Sequence, residues 1–143
     1  MIYRDVDDLN ARFWATPLTY KDAANATVAL PETQKLVENQ PDAEVDERKP
    51  WVRWTILPGS SVLNTTGAVT FKQDGMAVLQ VFTPRGTGTG MANDIAECAE
   101  TAFRKWRSAD RALTVDRVER SRGADKDYHQ VNIKVHYTSV RPG

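Results

Sequence analysis

Apolar residues recur at helical spacing at the start of the chain, where Ile2, Val6, Leu9 and Phe13 fall on one side of a wheel and Asp5, Asp7, Asp8 and Arg12 on the other. The spacing predicts a first helix, stopped by Thr16 and Pro17. "PLTYKD" then reads as a short strand. Periodicity dissolves from residue 23 to 49, with prolines at 31 and 41 and a chiefly acidic end. A stretch of that length without a pattern predicts a long acidic loop or arm, with one helical turn around Glu32 to Val37. In "WVRWTIL" the alternation returns, with Val52, Trp54 and Ile56 on one face and Trp51, Arg53, Thr55 and Leu57 on the other. Each face of this strand therefore carries a tryptophan.

"PGSSVLNTTG" reads as a turn-rich connection. "AVTFKQDGMAVLQVFT" is either one long strand or a hairpin through Asp74–Gly75, a dipeptide favoured in tight turns. Its second half, Met76 to Phe82, is apolar on both sides and suits a central strand. Ala92, Ile95, Ala96, Ala99, Ala102, Phe103 and Trp106 form one stripe of a second helix. Acids fill its first turns and bases its last, as the helix dipole favours. Cys98, at the margin of the stripe, reads as a small packed residue. Two strands follow, "ALTVDRVERSRG" and "DYHQVNIKVHYTSV", joined by a turn at "GADKD". His129 falls on the apolar side of the last strand and His136 on the polar side, so the two do not pair. The whole predicts a single α+β domain over residues 1–143: a largely antiparallel or mixed sheet of four to five strands, packed by two main helices.

Composition changes this picture little, but it removes several classes of function. The chain of 143 residues holds 19 basic and 19 acidic side chains, so it lacks the basic excess of a dedicated nucleic-acid binder. Charge is unevenly placed, since residues 1–47 carry four basic and ten acidic side chains and the remainder fifteen and nine. Such polarity can orient neighbouring subunits. No apolar run approaches the length of a membrane span. The opening "MIYRDVDDLN" is acidic and amphipathic, unlike a secretory signal, and implies assembly in the cytoplasm of the producing cell. One cysteine and two histidines supply neither an internal disulfide nor a structural zinc site, and no cofactor is expected.

The glycines of "TPRGTGTGMAND" invite a nucleotide reading, which their spacing does not meet. Gly90 is followed by Met91 and Ala92 rather than Lys and Ser or Thr, and Gly86, Gly88 and Gly90 stand at the first, third and fifth places rather than the first, third and sixth. The loop is read as a strand-to-helix joint with Thr87 or Thr89 as N-cap. No serine lies in a nucleophile elbow, and the acids fall in exposed contexts where paired carboxylates stay solvated. No enzyme is expected.

Three blocks, "KPWVRWTILPGSS", "GAVTFKQDGMAVLQVFTPRGTGTGMANDIAECAETAFR" and "YHQVNIKVHY", together resemble the tail terminator proteins of tailed bacteriophages. The likeness covers residues 50–140 and, more loosely, 2–20. It implies a virion protein of the tail or neck. In that family a ring, hexameric, sits at the head-proximal end of the tail tube and ends tube polymerisation. The ring offers its other surface to the head-tail connector or a head-completion protein, while DNA passes through the lumen without sequence-specific binding. Carried onto this chain, the candidate intersubunit or ring-stacking contacts are Trp51, Trp54, Arg85, Gly86, Gly88, Gly90, Asp46 and Glu47. Two other readings stand beside it: another neck or tail-completion adaptor of a phage-like particle, and a nucleotide-binding enzyme using the glycine loop.

Overall fold

The structure is a computed structural model and describes residues 2–37, 44–63, 70–86, 90–123 and 127–142, with side chains from Arg4 onward. Helix α1 (Ile2–Ala15) leads into a small antiparallel pair, β1 (Thr19–Lys21) and β2 (Thr27–Ala29). A 3-10 turn (Glu32–Gln34) precedes β3 (Lys35–Val37), and β4 (Trp51–Leu63) and β5 (Thr70–Pro84) follow. Helix α2 (Gly90–Phe103) then leads to β6 (Leu113–Arg122) and β7 (Tyr128–Pro142). The main sheet has the order β3-β4-β5-β7-β6. Only the β3–β4 pair is parallel; the other three pairs are antiparallel. This is the expected α+β fold with a mixed sheet and two main helices.

Side-chain alternation explains which face is covered. Trp54, Leu79 and Ile133 lie opposite one another across β4, β5 and β7, as do Ile56, Ala77 and Val135. Together with Leu113 and Val115 of β6 they form one core with Leu9 and Phe13 of α1 and Ala92, Ile95, Ala96, Ala99 and Phe103 of α2. The alanines let α2 approach the sheet closely, while α1 reaches it through large side chains. Phe13 stacks on Trp54 at 4.9 Å, and Trp54 stacks in turn on Phe103 at 5.2 Å. The Trp54 indole N–H donates to Asn10 Oδ1 at 2.9 Å, which satisfies the one polar atom of that ring. Arg12 donates from Nε and Nη2 to the Ala102 carbonyl at 3.1 and 2.7 Å, capping the end of α2.

Four expectations change. The stretch from residue 23 to 49 contains structure that a polar loop would not: β2, a buried Leu30, and β3 against β4. The expected helical turn is confined to Glu32–Gln34, and Lys35 to Val37 is strand instead. Residues 58–63 of the expected turn-rich connection continue β4 past a bulge between Pro58 and Ser61. Of the two readings of the next stretch, the single long strand holds, because β5 runs unbroken through Asp74–Gly75. Gly75 serves a different end: it faces Tyr137 across the β5–β7 ladder, and a Cβ there would fall on the Tyr137 ring. The fourth change is Asp5, which is buried. Residues 38–43, Thr87, Thr89 and the middle of "GADKD" lie outside the described residues.

Candidate functional site

The two tryptophans of β4 part company. Trp54 belongs to the core, so its ring has no surface to offer a second subunit. Trp51, on the opposite face, is buried, and among the described residues the rings against it come from strands. Phe82 stacks on it at 4.1 Å from β5, Tyr128 meets it edge-on at 5.9 Å from β7, and the Arg53 guanidinium lies 5.6 Å from its ring. The Tyr128 hydroxyl donates to the Glu47 carbonyl at 3.4 Å. Tyr128 stands opposite Pro84 in the ladder, and the Arg85 amide donates to Asp127 O at 3.3 Å. One end of the sheet thus gathers Glu47, Trp51 and Arg85 of the expected contact set. Gly86 follows with φ 91°, a left-handed conformation suited to glycine. Gly90 opens α2, and Gly88 lies outside the described residues.

Asp46 is tied to the 3-10 turn at Glu32–Gln34. The buried Gln34 amide donates to Asp46 O at 2.9 Å and Pro50 O at 3.0 Å, and its oxygen accepts from the Asp46 amide at 2.8 Å. Both donors and the carbonyl oxygen of one side chain are thus used to hold the 3-10 turn against residues 46–50. Arg48 closes the turn on Asp46 with Nε 3.1 Å from Oδ1.

A charged cluster at the other end of the sheet is absent from the expected set. Arg141 Nε donates to Asp5 Oδ1 at 2.9 Å, Nη2 to Asp8 Oδ2 at 2.9 Å, and Nη1 to Asp110 Oδ2 at 2.7 Å. The Ser139 hydroxyl donates to the other Asp5 oxygen at 2.5 Å. Burial works against the Arg141 charge, and the carboxylates of Asp5, Asp110 and Asp8 outweigh it, so its pKa is raised. Asp110 is held well below the ordinary carboxylate range, first by the Ser108 hydroxyl, then by the Ala112 amide and Arg141. Burial, with Asp5 nearby, pushes the Tyr137 phenol up to about 12. The cluster ties α1, the α2–β6 connection and the end of β7 into one unit. A signal for it exists in the sequence: Arg141 continues the alternation of Ile133, Val135, Tyr137 and Ser139, which places a charge in register with core positions.

Catalytic chemistry finds no arrangement among the described residues. An open groove of about 520 Å³ runs between the end of α1, β1 and α2 and includes Cys98. Several of its polar groups are engaged within the fold: Arg12 caps α2, Asp94 accepts from the Lys21 amide at 3.0 Å, and Cys98 Sγ lies 3.6 Å from Thr19 Oγ1. His136 Nε2 is 2.7 Å from Glu119 on the uncovered sheet face, far along β7 from His129. No group of three metal-ligating side chains occurs among the described residues, and none of their helices is long and apolar enough to cross a membrane.

Comparisons with known proteins agree with this picture. A family profile described as "Phage tail terminator protein" matches residues 16–137. A search of the curated proteins gives no match. Among solved structures, one with 16% sequence identity superposes with a TM-score of 0.55, over 73% of this chain and 77% of the other. That likeness shows a shared fold.

Proposed function

The chain belongs to the phage tail terminator family, and from that premise we propose that its copies close into a ring, hexameric as the resemblance implies, at the head-proximal end of the tail tube. Its role as a tail component is structural rather than enzymatic. One surface of the ring halts addition of tube subunits, and the other receives the head-tail connector or a head-completion protein. The observation that carries the reading is the family match over nearly the whole described fold, from the end of α1 through most of β7.

Several features support it. A rotation that closes turns one heterologous contact, repeated, into a finite ring. Equal numbers of basic and acidic side chains suit a lumen through which DNA slides, because each neutralised phosphate would add affinity. The glycine segment then serves as the joint between β5 and α2, with Arg85, Gly86 and Gly90 exposed for contact with a neighbouring ring. Glu47 and the Arg53 side of the Trp51 cluster border the same end of the sheet.

Native mass measurement of the protein with short tail tubes, and separately with the connector, tests the assignment. A terminator binds tubes at one ring per tube, at one end. Binding to the connector alone, with tubes ignored, would assign the chain to a head-side adaptor instead.

A further inference from the structure

The sheet has two open margins of different character. On one side β3 pairs only with Val52 to Trp54, so among the described residues the outer edge of β4 has no strand partner from Thr55 to Leu63. This stretch, "TILPGSSVL", contains no charge. On the other side Arg107 bridges to Thr114, and among the described residues the outer edge of β6 has no strand partner from Asp116 to Arg122. That margin is charged, with Arg117, Glu119, Arg120 and Arg122 exposed. Charges on an edge discourage indiscriminate strand addition, whereas an uncharged edge invites a partner.

Exposed apolar side chains fall beside the uncharged edge. Leu57, Val62, Leu63 and Val140, between 40% and 63% exposed, are the large exposed hydrophobics among the described residues. Val62, Lys72 and Val140 lie in one row across β4, β5 and β7, and Leu57 lies opposite Met76. They occupy the part of the sheet away from Trp51 and Phe82.

We propose that the outer edge of β4, from Thr55 to Leu63, pairs with the outer edge of β6 of a second copy of this chain. The inference rests on the ring reading and names its contact. Strand directions favour it. The ladders make β4 and β7 parallel to each other and β6 opposite to both. A copy in the same orientation therefore brings β6 antiparallel to β4, the more stable ladder. The free stretch of β4 faces β5 residues 71–78, while that of β6 faces β7 residues 131–136. The copies are then offset along the strands, as a sheet closing around an axis requires. Pro58 has no N–H to donate, and the neighbouring bulge interrupts the β4 ladder. Pairing is thereby divided into two short stretches, which fixes its register.

The test uses full-length protein. Val62→Lys combined with Leu63→Lys alters two exposed positions, so the monomer is expected to melt as the unmodified chain does, while ring formation moves to roughly tenfold higher concentration or beyond. In a Cys98→Ser background, Val62→Cys chains are mixed with chains carrying Arg117→Cys, Glu119→Cys or Arg122→Cys and then oxidised. Cross-links between unlike chains are the expected result. Intact assembly of the lysine variant, or links only between like Val62→Cys chains, overturns the edge pairing while leaving a ring. An unmodified protein that stays monomeric at every concentration and on tube ends overturns the ring reading itself.

Discussion

Arg141→Met removes the centre of the buried charge cluster and leaves Asp5 with the Ser139 hydroxyl as its remaining side-chain partner among the described residues. The side chains of Arg141 and Asp5 are 3% and 1% exposed, so water screens their attraction little, whereas Asp8 and Asp110 are 37% and 45% exposed. Removing one partner of a buried pair costs about 3–5 kcal/mol, chiefly because the remaining charge stays buried without compensation. The two exposed arms contribute about 0–1 kcal/mol each. The expected loss for Arg141→Met is therefore about 4 kcal/mol in urea titration, or a fall in Tm of roughly 8–16 °C for a domain of this size. Asp5→Asn should cost clearly more than Asp8→Asn, because only the first leaves a guanidinium arm stranded inside. Adding Asp5→Leu to Arg141→Met should recover part of the loss, since an apolar pair bears no desolvation penalty. A loss below about 1 kcal/mol for Arg141→Met, or equal losses for Asp5→Asn and Asp8→Asn, would refute the reasoning.

Three further outcomes follow from the geometry. Asp110 has a folded-state pKa below the ordinary 3.8, so its contribution is fully present above that value and is lost as pH falls through the folded value. The stability gap between the unmodified chain and Asp110→Asn, read from urea midpoints, should therefore close as pH is lowered from 5 toward 2. Gly75→Ala places a methyl on the Tyr137 ring and should destabilise by about 1–3 kcal/mol in thermal melts, although Asp-Gly in a hairpin turn would give a quite different profile of tolerated residues. Gln34→Ala removes the side-chain partner of the Asp46 amide, the Asp46 carbonyl and the Pro50 carbonyl, of which the Asp46 carbonyl keeps the Lys49 amide, and should cost about 1–3 kcal/mol, with faster amide exchange at Asp46 as the local readout.

Much of the fold is legible in the sequence because periodicity reports burial directly. The α2 stripe and the alternation of β7 place Ile95, Phe103, Ile133 and Val135 where the core holds them. Local reasoning fails where a distant element decides. Asp5 lies on the polar side of a helical wheel, yet the end of β7, more than a hundred residues away, brings Arg141 over it. Leu30 and β3 carry too short a pattern to stand out from a polar stretch, and distant partners decide their places: the Leu30 amide donates to Leu18 O, and β3 pairs with β4. Gly75 is conspicuous as a turn residue, but its function comes from the ring opposite. For the assembly surfaces, a single tryptophan pattern gave both faces equal standing. Packing assigns Trp54 to the core and Trp51 to an aromatic group with Phe82 and Tyr128 on the opposite face.

Negative-stain electron microscopy of the purified protein, alone and mixed with polymerised tail tubes, tests the central claim most directly. The account predicts closed rings of about six subunits, as one repeated heterologous contact permits, and tubes carrying such a ring at one end that no longer elongate. Monomers beside tubes that keep both ends bare and continue to grow would contradict it.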